Sequence, residues 1–258
     1  MSTIALGFDD RSPSWSAVHW VADRATRAGE PTHVTVVVTG FHEDERDVGP
    51  GLGEALRELR ATGAEVQLST DVTTRGMVTA SGDHELLVAG VPRGDRLRLS
   101  DRWFPSRLIH ESPAPVCFVP DGWEPRDLEI TVGVAADESS DAAVMFAARE
   151  AARENRDLRL VHASREEIAD NGSPQLHPLE VLDGAELAVR RLAGGVPLVV
   201  QAVVDEPAIA LTVLAERSSM IVLGTHRRGF LSSGVLGSVA LDVLGRVPCP
   251  VVVVPPRA

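Results

Sequence analysis

The feature that most constrains the fold of this chain is an internal repeat that runs through nearly all of its 258 residues. The opening segment IALGFDDRSPSWSAV matches ITVGVAADESSDAAV, so that Gly7 corresponds to Gly133 and Ser14 to Ser140, each pair 126 positions apart. Two later segments, ELLVAG and SPAPVCFVP, match MIVLG and VPCPVVVVP with offsets of 134 and 135. The same order of elements occurs twice, which indicates one structural plan used in two copies.

The repeat also predicts the domain boundaries. The segment PDGWEPRD, residues 120–127, joins the copies, and its Pro, Gly and charged residues are typical of a short linker. We therefore expect one domain over residues 1–122 and a second over residues 128–258. Because the offset grows along the chain, the second copy carries about eight more residues in its middle.

Each copy alternates short apolar runs with helical patterns, which predicts parallel strands joined by helices. The first copy has five such runs: Ile4–Phe8, Val34–Val38, Val66–Val72, Leu86–Ala89 and Val116–Val119. The second copy also has five: Ile130–Val134, Leu158–Val161, Leu198–Val204, Ile221–Leu223 and Val251–Val254. We predict an α/β fold of two tandem doubly wound domains, each a five-stranded, mainly parallel sheet with helices on both faces. Such sheets bind ligands beyond the carboxyl ends of their strands, at the point where strand order reverses.

Composition excludes several kinds of site and partner. All 25 basic residues are Arg and there is no Tyr, so neither a phosphate-loop lysine nor a tyrosine acid or base is available. A net charge of −12 makes nucleic acid an unexpected partner. The chain has no apolar stretch long enough for a membrane span, and its first residues lack the pattern of a signal peptide. With two isolated cysteines, these features predict a cytoplasmic protein without a disulfide.

A glycine-rich loop after the fourth strand of the second copy is the strongest chemical signal. It begins at Gly224, reads GTHRRGFLSSGVL, and ends at Gly237 and Ser238, where a helix is predicted to begin. Free backbone N–H groups at such a loop suit a phosphate, since Gly has no Cβ to hold the anion away and Ser adds a hydroxyl donor. The alternative is a glycine-rich turn in which Ser238 is a helix N-cap.

At this loop the sequence resembles the universal stress protein family. The segment GTHRRGFLSSGVLGSVALDVLGRVPCPVVVVP is similar along its whole length to the family's G-x2-G-x9-G-[ST] motif with its following helix and strand. The resemblance covers both copies, although the first is similar mainly in its opening segment and element order. It implies a tandem protein of the adenine nucleotide alpha hydrolase-like fold that binds ATP or another adenine nucleotide.

The second copy departs from the family pattern at two positions. Arg227 replaces the middle Gly of the motif, and Ala135 replaces the acid that in the family follows the first strand and contacts the nucleoside. Arg227 could pair with phosphate or fill the space that Gly leaves, and Asp137 is a weak substitute for the missing acid. The resemblance implies six nucleotide-binding residues, with Ala163 near the base: Ala163, Gly224, Arg227, Gly237, Ser238 and Val239.

The first copy shows the reverse pattern. Asp9 stands where the family has its acid, but the Gly-Ser position of the motif falls near Trp103, among bulky aromatic residues. About a dozen residues separate the third and fourth strands, which we take as too few for a full third helix. We expect a degenerate site in this copy, with Ser14 as the N-cap of the first helix and Asp9 as a turn or cap residue.

The function expected from these features is nucleotide binding without turnover, in a stress-response regulatory protein. No catalytic residue and no metal site is predicted, since the histidines lack metal-ligand spacing and no nucleophile elbow is present. The alternative is a dimeric scaffold or partner-binding protein with two degenerate sites. We also expect Val116–Val119 to pair with Val251–Val254 in an intrachain pseudo-dimer, and the whole chain to form a homodimer.

Overall fold

The structure, a computed structural model, describes residues 1–9, 12–38, 50–69, 74–94, 103–165, 178–225 and 238–256. It divides into two compact units, Met1–Pro125 and Arg126–Ala258, each of which is described by itself. The predicted pairing of the last strands of the two copies therefore stays a prediction. In the described part of the chain, no helix has the length and apolar character that crossing a membrane requires.

The first unit alternates strands and helices as the sequence predicts. Its strands are Ser2–Phe8 (β1), Thr32–Val38 (β2), Glu65–Ser69 (β3), Leu86–Val91 (β4) and Val116–Pro120 (β5). Its helices are Ser12–Arg27 (α1), Pro50–Ala61 (α2), Thr74–Ser81 (α3) and Trp103–Glu111 (α4). Because α4 begins at Trp103, Pro105 lies in the first helical turn, where proline is tolerated.

The second unit repeats this order. Its strands are Glu129–Gly133 (β6), Leu158–Ser164 (β7), Leu198–Val204 (β8), Ser218–Gly224 (β9) and Val251–Val254 (β10). Its helices are Asp141–Glu154 (α5), Pro178–Leu192 (α6), Pro207–Ala215 (α7) and Ser238–Val243 (α8), and a short 3-10 turn at Glu138–Ser140 precedes α5.

Both sheets are parallel and share one strand order, β3-β2-β1-β4-β5 in the first unit and β8-β7-β6-β9-β10 in the second. The predicted doubly wound α/β class is confirmed. In the second unit, α5 packs with α6 on one face, and α7 packs with α8 on the other. The strand order reverses between β1 and β4, and between β6 and β9, so the second reversal directs attention to the carboxyl ends of β6 and β9.

The expectation that the first copy lacks a full third helix is wrong. Helix α3 has eight residues, against nine in the corresponding α7. A short connection suffices because the eight residues of α3 make only about two helical turns. Met77 anchors α3, since its side chain is fully buried against Gly7 of β1.

The two cysteines, Cys117 and Cys249, are buried free thiols. Burial raises the pKa of the Cys249 thiol to about 12, and the Arg126 guanidinium only partly offsets this. A thiol with so high a pKa stays protonated at neutral pH and is a poor nucleophile. Cys249 therefore acts as a small core residue.

Candidate functional site

A cavity of about 420 Å³ lies in the second unit at the point of strand reversal. Its walls come from the carboxyl ends of β6, β7 and β9, the 3-10 turn before α5, and parts of α7 and α8. Apolar side chains such as Val134, Val161 and Leu211 supply much of the lining, and backbone groups are available at the strand ends. Its volume lies within the range of small-molecule sites, about 300–1,000 Å³.

The structure places three of the six predicted site residues around this one cavity. Ala163, Gly224 and Val239 line it from β7, β9 and α8 respectively. Ser238 begins α8 beside Val239, but its side chain lies outside the described part of the structure. Arg227 and Gly237 also lie outside the described residues, so their predicted roles stay predictions.

Gly224 has a packing reason to be glycine. A Cβ at this position would overlap the carbonyl oxygen of Ser139 and lie 2.8 Å from its carbonyl carbon. Backbone atoms cannot move aside cheaply, so a side chain here would push the end of β9 away from the 3-10 turn. The sequence argument explained this glycine by room for phosphate, whereas the structure shows that it lets two walls of the cavity meet.

The Ser140 hydroxyl organises the chain where the family acid is replaced by Ala135. The Ala135 N–H donates to Ser140 Oγ over 3.2 Å, and the hydroxyl in turn reaches the Ala135 and Asp137 carbonyl oxygens at 3.4 Å. Asp137, the possible substitute for the missing acid, is not among the residues that line the cavity, and its Oδ1 accepts a hydrogen bond from the Ser139 N–H over 2.9 Å. Its carboxylate therefore holds the turn that forms one cavity wall.

His162 is a cavity residue that the sequence argument missed. Its ring is buried at the end of β7, and Nδ1 lies 2.8 Å from the carbonyl oxygen of Val134. Since a carbonyl only accepts, Nδ1 is the donor in this hydrogen bond. The spacing of metal ligands could not identify this histidine. Its position near the end of β7, where such sheets bind ligands, could have identified it.

The corresponding place in the first unit is built differently. Asp9 follows β1 there, its N–H donates to Ser14 Oγ over 3.3 Å, and the Ser14 hydroxyl donates to the Asp9 carboxylate. This supports the turn role expected of Asp9. The expectation that Ser14 is the N-cap is wrong, because α1 begins at Ser12 and the hydroxyl of Ser14 bonds back to the end of the strand.

Known proteins of one family are similar to this chain over nearly its whole length. The profile of the universal stress protein family matches residues 129–255. A universal stress protein of Mycobacterium tuberculosis is 32% identical over 291 aligned residues, which cover 97% of this chain and 96% of that protein. The chain belongs to the universal stress protein family.

Solved structures of universal stress proteins share the fold. One from Archaeoglobus fulgidus covers 99% of the chain with a TM-score of 0.76, at 18% identity. A universal stress protein in complex with cAMP matches 50% of the chain at 24% identity, with a TM-score of 0.40. The full-length likeness supports the two-unit α/β architecture of this universal stress protein.

Proposed function

We propose that this universal stress protein is a cytoplasmic stress-response regulator whose second unit binds ATP or another adenine nucleotide. The observation that carries the proposal is the cavity of about 420 Å³, which lies where a doubly wound sheet binds ligands and is lined by Ala163, Gly224 and Val239. The resemblance to the family implies all three of these residues, and they come from three different elements.

The base and the phosphates find different surroundings in this proposal. Val134, Val161 and Leu211 offer apolar surface to a purine, and the backbone of Ala163 offers hydrogen-bond groups for its edge. The phosphates would lie towards Gly224 and the loop that leads into α8. Backbone N–H groups can bind phosphate there without lysine, which agrees with a chain that has none.

We also propose that the protein binds its nucleotide without turnover. Among the described residues, no group of three or more His, Cys, Asp or Glu side chains could hold a metal ion. Asp137, in the turn that forms one cavity wall, already accepts a hydrogen bond from the Ser139 N–H through Oδ1. Nucleotide occupancy, rather than catalysis, would then carry the signal.

Calorimetry with ATP, together with mass spectrometry of nucleotide carried by the purified chain, tests this proposal. We expect saturable binding that is lost in Val239→Trp, because the indole would occupy the cavity. Val213→Trp is the matched control, since Val213 is 64% exposed on α7 and does not line the cavity. No binding at millimolar ATP, or equal binding by the two variants, would contradict the proposed site.

A second candidate function is a scaffold that has lost nucleotide binding. It is favoured by Ala135, which removes the carboxylate that the family uses at the nucleoside. In that case the chain acts through self-association or a protein partner, and calorimetry detects no nucleotide. Gain of binding in Ala135→Asp, starting from a wild type that binds none, would identify this alternative.

A further inference from the structure

Exposed apolar side chains are distributed very unequally between the two units. Among the described residues, the first unit exposes two large hydrophobic side chains, Met1 and Leu68, whereas the second exposes eight. Six of these eight lie on two neighbouring elements, α6 and β8: Leu179, Leu187, Leu192, Val199, Val200 and Val204. Because α6 packs on β8, these residues flank one edge of the sheet, with Val199 and Val200 on opposite faces of it, and we call this edge the α6–β8 surface.

Strand β8 is an edge strand without the residues that usually protect one. It lies at the end of the strand order of its unit, and in the described structure its pairing partner is β7. Its sequence LVVQAVV has no charge and no proline, and Val204 is 63% exposed. The corresponding edge β3 has five residues, EVQLS, and carries Glu65. Charges and short length are the usual protection of an edge strand, so β8 is the edge that is built to be covered.

The charges along helix α6 are arranged so that two antiparallel copies of the helix would place opposite charges side by side. Its first half carries Glu180 and Asp183, and its last turn carries Arg190 and Arg191. Arg190 also pairs with Glu186 of the same helix, over 2.7 Å. When two such helices lie antiparallel about a two-fold axis, each acidic half faces the basic end of the other. Self-complementarity of this kind favours a second copy of the same chain over an unrelated partner.

We propose that the α6–β8 surface is the homodimer interface of this protein. Two chains meet about a two-fold axis with their β8 strands antiparallel, which joins the sheets of two second units, and with their α6 helices antiparallel beside them. The backbone groups of β8 gain partners, and the exposed leucines and valines are buried. This interface lies apart from the cavity, so it does not depend on nucleotide binding.

Sedimentation equilibrium tests the edge strand. We expect wild-type protein to reach twice its monomer mass of 27.5 kDa, and the double variant Val200→Lys, Val204→Lys to remain monomeric. Two controls replace exposed apolar residues elsewhere, Leu68→Lys on β3 and Val213→Lys on α7, and both should dimerise like wild type. A monomeric wild type, an intact dimer in the double variant, or a dimer lost in either control would overturn the proposal.

Charge reversal tests the orientation of the helices. Glu180→Arg with Asp183→Arg makes α6 largely basic, and Arg190→Glu with Arg191→Glu makes it acidic. Each variant alone should dimerise on the order of tenfold or more weakly than wild type, because like charges face each other. Mixed in equal amounts, the two should form a heterodimer. Two variants that dimerise as well as wild type, or a mixture that fails to associate, would overturn the antiparallel arrangement.

Discussion

Each unit has a serine at the equivalent position that bonds to the end of its first strand, but the two serines have different partners. In the first unit the hydroxyl of Ser14 binds the N–H and the carboxylate of Asp9. In the second, Ser140 binds the N–H and carbonyl oxygen of Ala135, 126 positions later in each case. The backbone conformation therefore does not need the acid, and loss of the carboxylate leaves the turn in place.

The interior above the first strand differs as well. In the first unit Met77 is fully buried and its sulfur would lie 2.8 Å from a Cβ at Gly7. In the second, Leu211 and Leu223 stand beside Gly133 and form part of the cavity wall. The same scaffold therefore places a side chain beside this glycine in both units, the fully buried Met77 in the first and cavity-lining leucines in the second, while strand order stays unchanged.

Truncation of Met77 should cause the largest loss of stability among the substitutions that compare the two units. Met77→Ala should destabilise the first unit by roughly 2–5 kcal/mol, because it leaves a cavity above Gly7 in a closed core. Hydrogen exchange measured by mass spectrometry would locate the loss in α3 and β1. Leu211→Ala is the matched change in the second unit, and it should cost less because its side chain already borders an open space. Equal losses would mean that the two places are packed alike.

Substitution of Gly224 tests the close contact in the second unit. Gly224→Ala should destabilise that unit by about 1–3 kcal/mol and weaken nucleotide binding, since the new methyl group overlaps the Ser139 carbonyl. Chemical denaturation would measure the loss of stability, and hydrogen exchange in β9 would locate it in the second unit. Gly53→Ala in α2 is the control: space is available there, so stability should rise by about 0.5–1 kcal/mol. A neutral Gly224→Ala would disprove the contact.

Restoring the acid to the second unit sharpens the comparison of the two sites. In Ala135→Asp the new carboxylate should be held by Ser140, as Asp9 is held by Ser14, and should face the nucleoside. Calorimetry should then show about tenfold tighter ATP binding, or about 1.4 kcal/mol, from one charged hydrogen bond. Asp9→Ala should leave ATP affinity unchanged. Weaker binding in Ala135→Asp would show that the carboxylate does not face the ligand.

The smallest expected effect is the difference in stability loss between Ser14→Ala and Ser140→Ala. Ser14→Ala should cost about 1–2 kcal/mol of stability, because it removes a hydrogen bond to a carboxylate as well as one to the backbone. Ser140→Ala, which removes bonds to neutral groups, should cost about 0.5–1 kcal/mol. Denaturant unfolding of each variant provides the measurement. A larger loss at Ser140 would reverse the predicted ranking.

Much of the fold could be predicted from the sequence, because apolar periodicity and the internal repeat are visible in short stretches of it. The order of strands and helices, the parallel sheets and the edge of the sheet where a site would lie could all be predicted. Three site residues, Ala163, Gly224 and Val239, also line the cavity of the second unit.

The features that the sequence could not predict depend on contacts between distant segments. The Ser139 carbonyl leaves no room for a side chain at Gly224, and the Val134 carbonyl accepts the hydrogen bond of His162. The third helix of the first unit was missed because loop length is a poor guide when one buried side chain, Met77, can anchor a short helix. Exposure of β8 was likewise hidden, since an apolar run does not distinguish a buried strand from an open edge.

Equilibrium dialysis with labelled ATP tests the central claim most directly, namely that the second unit binds nucleotide and the first does not. We predict one ATP per chain at saturation, lost in Val239→Trp and retained in Asp9→Ala. Two ATP per chain, or one that is lost in Asp9→Ala and retained in Val239→Trp, would contradict the account.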